Sequence, residues 1–338
     1  MCCSPTLDDS LILCLRVSRE EFQMLSYAVR RFLGALPTLF IIITFTFFMM
    51  RLAPGGPFDA NRHLPPEIER NIKAAYNLDK PALEQYAIYL GKLVQFDLGP
   101  SYKTKDFTVG ELIEAGLPVS AKLGAAAMII AIIFGISLGT VAALNQNQAS
   151  DYGVMTLAMV GITIPTFVTA PILTLIFGIY GVHIFGMDLT LPVGGWHGGA
   201  LRNMILPVTV LALPQIAMIA RLVRGSTIEV LHSNYVRTAR AKGVPEHLIL
   251  LRHVLRASLL PLVSYLGPAI ATLLTGSLIV EQIFGVPGIG RYFVNAAVDR
   301  DYTLMMGVII VYAVFVIALN LIADLLYAVL DPRVSYKR

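Results

Sequence analysis

The chain is dominated by long runs of apolar residues that are separated by polar segments. Six runs are as long, or nearly as long, as the roughly 20 apolar residues that a helix needs to cross a bilayer. The weakest run, 204–220, contains two prolines, yet it is apolar on every side, whereas a soluble helix normally shows a polar face. The pattern predicts an all-α polytopic membrane protein with six transmembrane helices, at 32–50, 123–144, 154–182, 204–220, 259–280 and 303–330.

Composition supports this interpretation. Of the 338 residues, 56% are hydrophobic and 14% are charged, whereas soluble domains have roughly 45–50% apolar and about 25% charged residues. These values exclude a disordered chain, a coiled coil and a protein that binds nucleic acid over its whole surface. The three cysteines, Cys2, Cys3 and Cys14, all lie near the start of the chain, so they provide neither a disulfide framework nor a four-cysteine metal site.

Basic residues predict how the chain is oriented. Arginine and lysine are concentrated before the first run, in the segment 221–258 and in the tail 331–338. Short loops rich in these residues stay in the cytoplasm. We therefore predict a multi-pass protein of the bacterial inner membrane whose two termini are both cytoplasmic.

The polar segments divide the chain into regions. We expect residues 1–23 to be an unstructured extension or the product of a start site assigned too early, with acylation of Cys2 or Cys3 as an alternative. The first transmembrane helix occupies 24–50. Residues 51–116 are too long for a simple connection and predict a small helical periplasmic domain, the alternative being a passive connector. A five-helix core, 117–330, and a cytoplasmic tail, 331–338, complete the chain.

The segment 221–258 has the signals of a short helix, a turn and a second helix. Ser233 or Asn234 can cap the first helix, Gly243 can end it in the left-handed conformation, and a second helix can run from Pro245 towards residue 256. The small residues Ala239 and Ala241 suit close docking against another protein. The alternative is a solvated positive loop that only sets the topology.

At this point the sequence resembles a known family. The run 235–243, Tyr-Val-Arg-Thr-Ala-Arg-Ala-Lys-Gly, is similar to the cytoplasmic motif of the inner-membrane permease subunits of ABC importers, in the version of the peptide and nickel branch. Arg237 and Thr238 stand where the general motif has Glu-Ala, and the motif's later proline comes late, at Pro261. Further matching runs extend the resemblance over 24–338. These runs begin at Arg51, Pro118, Glu281, Arg300, Asp324 and Asp331. In detail the sequence most resembles the first, B-type, permease subunit of oligopeptide importers.

The resemblance implies a fold, partners and site residues. The fold would be that of a type I ABC importer permease with a periplasmic helical insertion between the first and second helices. The partners would be a second permease subunit in a heterodimer, two cytosolic ATPases and an extracytoplasmic peptide-binding protein. Contact with an ATPase is implied for Tyr235, Arg237, Ala239, Arg240, Lys242 and Gly243. An outer gate or a contact with the binding protein is implied for Glu281, Pro287, Gly288 and Gly290, and Asp324 and Asp331 mark the cytoplasmic end of the last helix.

The residues leave several alternatives open. Asp324 is the one acid well inside a predicted span, where a structural hydrogen bond and a functional role compete, and Glu281 is either a gate residue or a plain interfacial acid. A secondary transporter would need an internal repeat, and the sequence shows none. A hydrolase would need a nucleophile with its base or a metal site, and the sequence has no motif for either. No P-loop occurs in the sequence, so we expect a non-catalytic subunit without a cofactor, ATP and Mg²⁺ being bound by the partners. Oligopeptides are the expected cargo, and dipeptides, nickel complexes and murein peptides are the alternatives.

Overall fold

The computed structural model describes residues 7–52, 77–104, 106–181, 183–184, 187–188 and 190–330, without the side chains of 7–28, 183–184, 187–188, 275–276, 324 and 326–330. In these ranges the chain is helical except for its connections and a two-residue antiparallel pairing of β1, His183–Ile184, with β2, Met187–Asp188. The helices are α1 Leu7–Leu52, α2 Ala82–Val94, α3 Val109–Leu144, α4 Ala149–Thr163, α5 Thr166–Ile179, α6 Leu201–Leu231, α7 Asn234–Ala241, α8 246–258, α9 Leu260–Phe284, α10 Ile289–Asp299 and α11 Tyr302–Leu330.

Among the described residues, five helices are long and apolar enough to cross a membrane, namely α1, α3, α6, α9 and α11. The pair α4–α5 forms a sixth candidate span that is bent by 107° at its break. The bend lies at Ile164 and Pro165, where Ile164 is extended with φ −81° and ψ 119°. A residue before proline is sterically pushed out of the helical region, and proline has no N–H to donate. The predicted third span is therefore present but broken at its first proline.

The helices run between two ends of the bundle. At one end, which we call the α7 end, lie α7, α8, the end of α3, the start of α4 and the end of α6. The contact of Arg224 on α6 with Asp151 on α4 joins two of these helices. The α10 end contains the starts of α3, α6 and α11, the end of α9 and α10. There Gly195 N–H donates to the Phe284 carbonyl at 2.8 Å, which joins the loop before α6 to the end of α9.

Several boundaries differ from those predicted. Helix α6 continues to Leu231, so the first third of the segment 221–258 is the extended end of a membrane helix. Helix α3 begins at Val109 under a complete capping box from Thr108 and Glu111, and Pro118 lies inside it rather than at its start. The cap supplies partners for the first N–H groups, so the helix starts before its apolar run does.

The N-terminal extension also differs from the expectation. We expected residues 1–23 to be unstructured, but α1 is continuous from Leu7. The physical reason is local, since no glycine or proline occurs between Leu7 and Leu33 to interrupt the helix of the first span. Whether this extension is present in the mature protein stays a prediction.

The predicted periplasmic domain is described in part. Residues 53–76 of this predicted domain lie outside the described residues. Helix α2 packs on α1, where the Tyr86 and Thr44 hydroxyls are 2.6 Å apart and Arg51 Nε donates to Gln85 Oε1 at 2.7 Å. The aromatic rings of Phe47, Tyr86 and Tyr89 pack together at this junction.

Close packing of α3 against α6 forms the centre of the bundle. A Cβ added at Gly135 would lie 2.7 Å from the Ile219 side chain, and one at Gly139 would lie 2.5 Å from the Ala220 carbonyl oxygen. Only glycine permits this approach, which is the usual way in which membrane helices pack closely. Ile219 and Val223 of α6, which lie against these glycines, are fully buried.

We predict that Gly139→Ala destabilises the protein by about 1–3 kcal/mol, because the added methyl group overpacks the α3–α6 contact. The matched control is Gly124→Ala on the same helix, where a Cβ meets nothing within 4 Å. The measurement is the thermal unfolding midpoint of the purified subunit in detergent. Equal midpoints for the two variants would contradict the close packing.

Candidate functional site

Helix α7 is held against the protein by a small apolar cluster. Val236 is fully buried and Ala239 is 9% exposed, and both pack with Ile249 and Val254 of α8. Val230 and Leu231, at the end of α6, pack against the same cluster. The helix is therefore fixed both to the end of α6 and to α8, which continues into α9.

The opposite face of α7 is polar and accessible. Tyr235 is 47% exposed, and Arg237, Arg240 and Lys242 are also exposed. These four sequence-predicted residues lie together on the surface. Ala239 does not, because it packs against Ile249 and Val254 of α8; its part in coupling to an ATPase stays a prediction.

The turn after α7 has the predicted left-handed geometry. Gly243 has φ +74°, and its N–H donates to the Arg240 carbonyl at 2.9 Å, while Val244 N–H donates to the Ala239 carbonyl at 3.2 Å. These bonds satisfy carbonyl groups that would otherwise be unpaired at the helix end. A Cβ at Gly243 would meet nothing within 4 Å, so the backbone conformation, and not crowding within this chain, favours glycine.

An ion pair closes the same turn. Arg240 Nε and Nη2 donate to Glu246 Oε1 and Oε2 at 2.7 and 3.2 Å. Through these hydrogen bonds the guanidinium lowers the pKa of Glu246 below its ordinary value. The pair therefore weakens as the pH falls through the lowered pKa.

The start of α7 differs from the capping prediction. Ser233 occupies the N-cap position, but its hydroxyl donates backwards to the Val230 carbonyl at 2.6 Å and accepts no helical N–H. The apolar cluster, rather than a side-chain cap, holds the helix in place.

A partly buried ion pair near α7 was missed by the sequence reasoning. Asp151, at the start of α4, is 1% exposed and accepts from Arg224 Nε at 2.5 Å and Nη2 at 2.7 Å. Asn147 N–H donates to the same carboxylate at 2.9 Å. From the sequence, Arg224 was considered only as one of the basic residues that set the orientation of the chain. Asp151 could have been noticed because it is an acid in the first turn of a helix that follows a polar connection.

At the α10 end, Glu281 anchors the start of α10. It is fully buried, and its Oε2 accepts from the Gly290 N–H at 2.8 Å and from the Arg291 N–H at 3.3 Å. Ser120 on α3 accepts the neighbouring Ile289 N–H at 2.9 Å. Two side chains from α9 and α3 thus satisfy N–H groups of α10 that no helical carbonyl can reach, and a carboxylate suits that position electrostatically.

The glycines before and inside α10 permit this arrangement. A Cβ at Gly288 would collide with the Glu281 carboxylate and with Ser120, and one at Gly290 would lie 2.6 Å from the Leu278 Cα. Glu281, Gly288 and Gly290 are buried, which favours the outer-gate alternative for them over a contact with the binding protein, and either role stays a prediction. Pro287 is partly exposed at the same turn.

Asp301 has a comparable role at the start of α11. It is 1% exposed and accepts from the Leu304 N–H at 3.1 Å and from the Ser101 hydroxyl at 2.5 Å. It therefore caps α11 and ties the segment before α3 to that helix. Sequence reasoning noted Asp301 only within a matching run, although an acid directly before an apolar helix is a capping signal.

The last two predicted residues are only partly described. Asp324 lies on α11, but its side chain is not among those described, and Asp331 lies outside the described residues. In the portion of the chain that the structure describes, no group of three or more His, Cys, Asp or Glu side chains could hold a metal ion.

Comparison with known proteins identifies the family of the chain. Residues 108–336 match the inner membrane component of binding-protein-dependent transport systems. The chain belongs to this family. Residues 24–121 also match the N-terminal region of this membrane component. The resemblance to ABC importer permeases and the type I permease fold are therefore confirmed, and the chain is a multi-pass inner-membrane protein.

Individual relatives are similar over nearly their whole length. The chain is 54% identical over 313 residues to the oligopeptide transport system permease protein OppB of Escherichia coli K12, covering 93% of this chain and 100% of the relative. It is 50% identical over 313 residues to OppB of Haemophilus influenzae, with the same coverage. The dipeptide transport system permease protein DppB of Bacillus subtilis is 40% identical, over 92% of this chain and 98% of the relative.

We predict that Glu281→Gln loosens α10, because the amide brings N–H donors into a fully buried site that accepts N–H groups, and a buried donor left unpaired costs about 1–3 kcal/mol. Amide hydrogen exchange should speed up at Gly290 and Arg291. Glu114→Gln, which removes an exposed acid from α3, is the control and should leave the exchange unchanged. Unaltered protection in Glu281→Gln would show that the carboxylate does not hold α10.

Proposed function

We propose that this chain is the transmembrane permease subunit of an ATP-driven importer of oligopeptides. The observation that carries the proposal is 54% identity over the full length of an oligopeptide permease, compared with 40% for a dipeptide permease. A dipeptide importer is the second candidate, because the dipeptide relative also aligns over nearly its whole length.

The chain would work as one of several subunits. A second permease would complete the translocation path as a heterodimer, two cytosolic ATPases would bind at the α7 end, and a peptide-binding protein would deliver cargo at the α10 end. ATP and Mg²⁺ would be bound by the ATPases, so this chain would be non-catalytic and would hold no cofactor.

Charge supports placing the α7 end in the cytoplasm. Exposed basic side chains at this end include Arg237, Lys242, Arg252 and Arg256, and such residues remain on the cytoplasmic side. Both termini would then be cytoplasmic, because α1 begins and α11 ends on this side.

Helix α7 would be the element that meets an ATPase. Its outer face, with Tyr235, Arg237 and Lys242, would lie in a groove of that subunit, while Val236 and Ala239 join it to α6 and α8. When the ATPases close on ATP, a displacement of α7 would therefore move the end of α6 and, through α8, the start of α9. Local flexing is limited, because the Arg240–Glu246 pair and the Gly243 turn hold α7 and α8 together.

The α10 end would form the outer gate region. Glu281 joins α9 to α10 and Ser120 joins α3 to α10, so motion of these membrane helices would carry α10 with it. We assign Glu281, Gly288 and Gly290 to this internal joint. Pro287, which is partly exposed, is the member of the set that remains available for a contact with the binding protein.

The test is purification of this subunit in mild detergent from its native membrane, followed by mass spectrometry of the retained proteins. The expected result is a second permease, two ATPases and a peptide-binding protein. Titration of that binding protein with oligopeptides and dipeptides then distinguishes the two cargo classes. Recovery of the chain alone, or only with itself, would contradict the importer.

We predict that Gly243→Trp assembles but uncouples ATP hydrolysis from transport, lowering uptake at least tenfold. The left-handed backbone adds about 1–2 kcal/mol of strain for a residue with a Cβ, and the indole would fill the space next to the docking face. Gly243→Asn is the control, because asparagine tolerates this conformation; it should retain most of the uptake. The measurement is peptide uptake and ATP hydrolysis by the reconstituted complex, and normal uptake by Gly243→Trp would refute the docking role.

A further inference from the structure

Two helices that meet at the α7 end are joined by a partly buried charge pair, in which the Arg224 side chain is 26% exposed. Asp151 on α4 is 1% exposed, and its two oxygens accept from Arg224 Nε and Nη2 at 2.5 and 2.7 Å. A bidentate pair of this kind fixes orientation as well as distance. The Asn147 N–H, at 2.9 Å, also holds the carboxylate in place.

Arg224 is linked to α7 through the end of α6. Arg224 lies seven residues before Leu231 on α6, which is about 10 Å along a helix. Val230 and Leu231, at the end of α6, pack with the buried residues of α7 and α8. A displacement of α7 is therefore passed to the last two turns of α6 through side chains in contact.

The aspartate lies on α4, a helix that leaves most of its residues exposed in this chain. Among the described residues of α4, only Asp151 and Ala158 are buried. An open apolar groove of about 380 Å³ lies between α4 and the α3–α6 pair, and Leu157, Gly161 and Ala217 line it. Further along, Gly161 approaches the Ala217 side chain. Helix α4 is thus held at its start by the ion pair and near its far end by this small-residue contact.

We infer that the Asp151–Arg224 pair is a positioning contact that carries the displacement of α7 to the bent pair α4–α5. The inference rests on the proposed ATP-driven transport, because it requires α7 to be moved by an ATPase. When the end of α6 moves, Arg224 displaces the start of α4 with it. The open groove leaves room for α4 to tilt about the contact at Gly161. The 107° break at Pro165 then lets α5 respond separately.

The test measures movement of α4 in the purified complete complex. Cys2, Cys3 and Cys14 are replaced by serine, and Leu157→Cys, at a position that is 73% exposed in the groove, reports through its rate of reaction with a maleimide. In this parent protein, trapping the ATPases with a non-hydrolysable ATP analogue should change the rate. Asp151→Asn should reduce that change at least fivefold, and peptide taken up per ATP hydrolysed should fall by a similar factor.

Two further variants separate positioning from folding. Arg224→Lys keeps the charge but loses the bidentate geometry, so its response should lie between those of the parent and Asp151→Asn; it is the decisive variant if Asp151→Asn fails to assemble. Lys80→Gln removes the exposed Lys80–Glu84 ion pair of 2.9 Å on the N-terminal side of α2 and should change nothing.

Two results would overturn the inference. One is a nucleotide response at Leu157→Cys that is the same with and without the Asp151–Arg224 pair. The other is a loss of uptake matched by an equal loss of ATP hydrolysis, with coupling unchanged. Thiol labelling needs no peptide, so a parent complex that responds to nucleotide but imports no oligopeptide would reject the proposed cargo while leaving this inference testable by labelling.

Discussion

The need to pair every backbone N–H and C=O group inside a bilayer is the constraint on which the rest of this structure depends. Lipid offers no hydrogen bonds, so a spanning segment must be helical. Helices then pack through shape rather than through a hydrophobic driving force. Gly135 and Gly139 let α3 and α6 approach closely, and this pair forms the core against which α4, α9 and α11 are arranged.

The same constraint makes the ends of the helices important, because N–H groups there have no helical partner. Three buried acids serve this need or link neighbouring elements: Asp151 pairs with Arg224, Glu281 holds α10, and Asp301 caps α11. Asp151 and Asp301 connect segments that are far apart in the chain, whereas Glu281 joins the consecutive helices α9 and α10. These acids contribute to the relative placement of helices more directly than to any surface that a partner could contact.

Helices α7 and α10 are connected through the membrane helices. Helix α7 packs on the end of α6 and on α8, and α9, which follows α8, ends at Glu281 and so at α10. A continuous set of packed elements therefore joins the exposed basic surface at one end to α10 at the other. This arrangement suits a subunit that receives motion from one partner and opens or closes a path on the opposite side.

The sequence by itself predicted six apolar spans, the interruption of the third by proline and the short helix with its Gly243 turn, because run length, proline chemistry and capping act over a few residues. Among the described residues, five of these spans are continuous helices and the third is the bent pair α4–α5. It also identified the family through motifs that stand in order along the chain. Only the tertiary structure decided that Ala239 faces inward, that Glu281 is buried, that α6 continues to Leu231 and that Asp151 meets Arg224. These features depend on which helices come into contact, and apolar spans of similar composition carry little information about their neighbours.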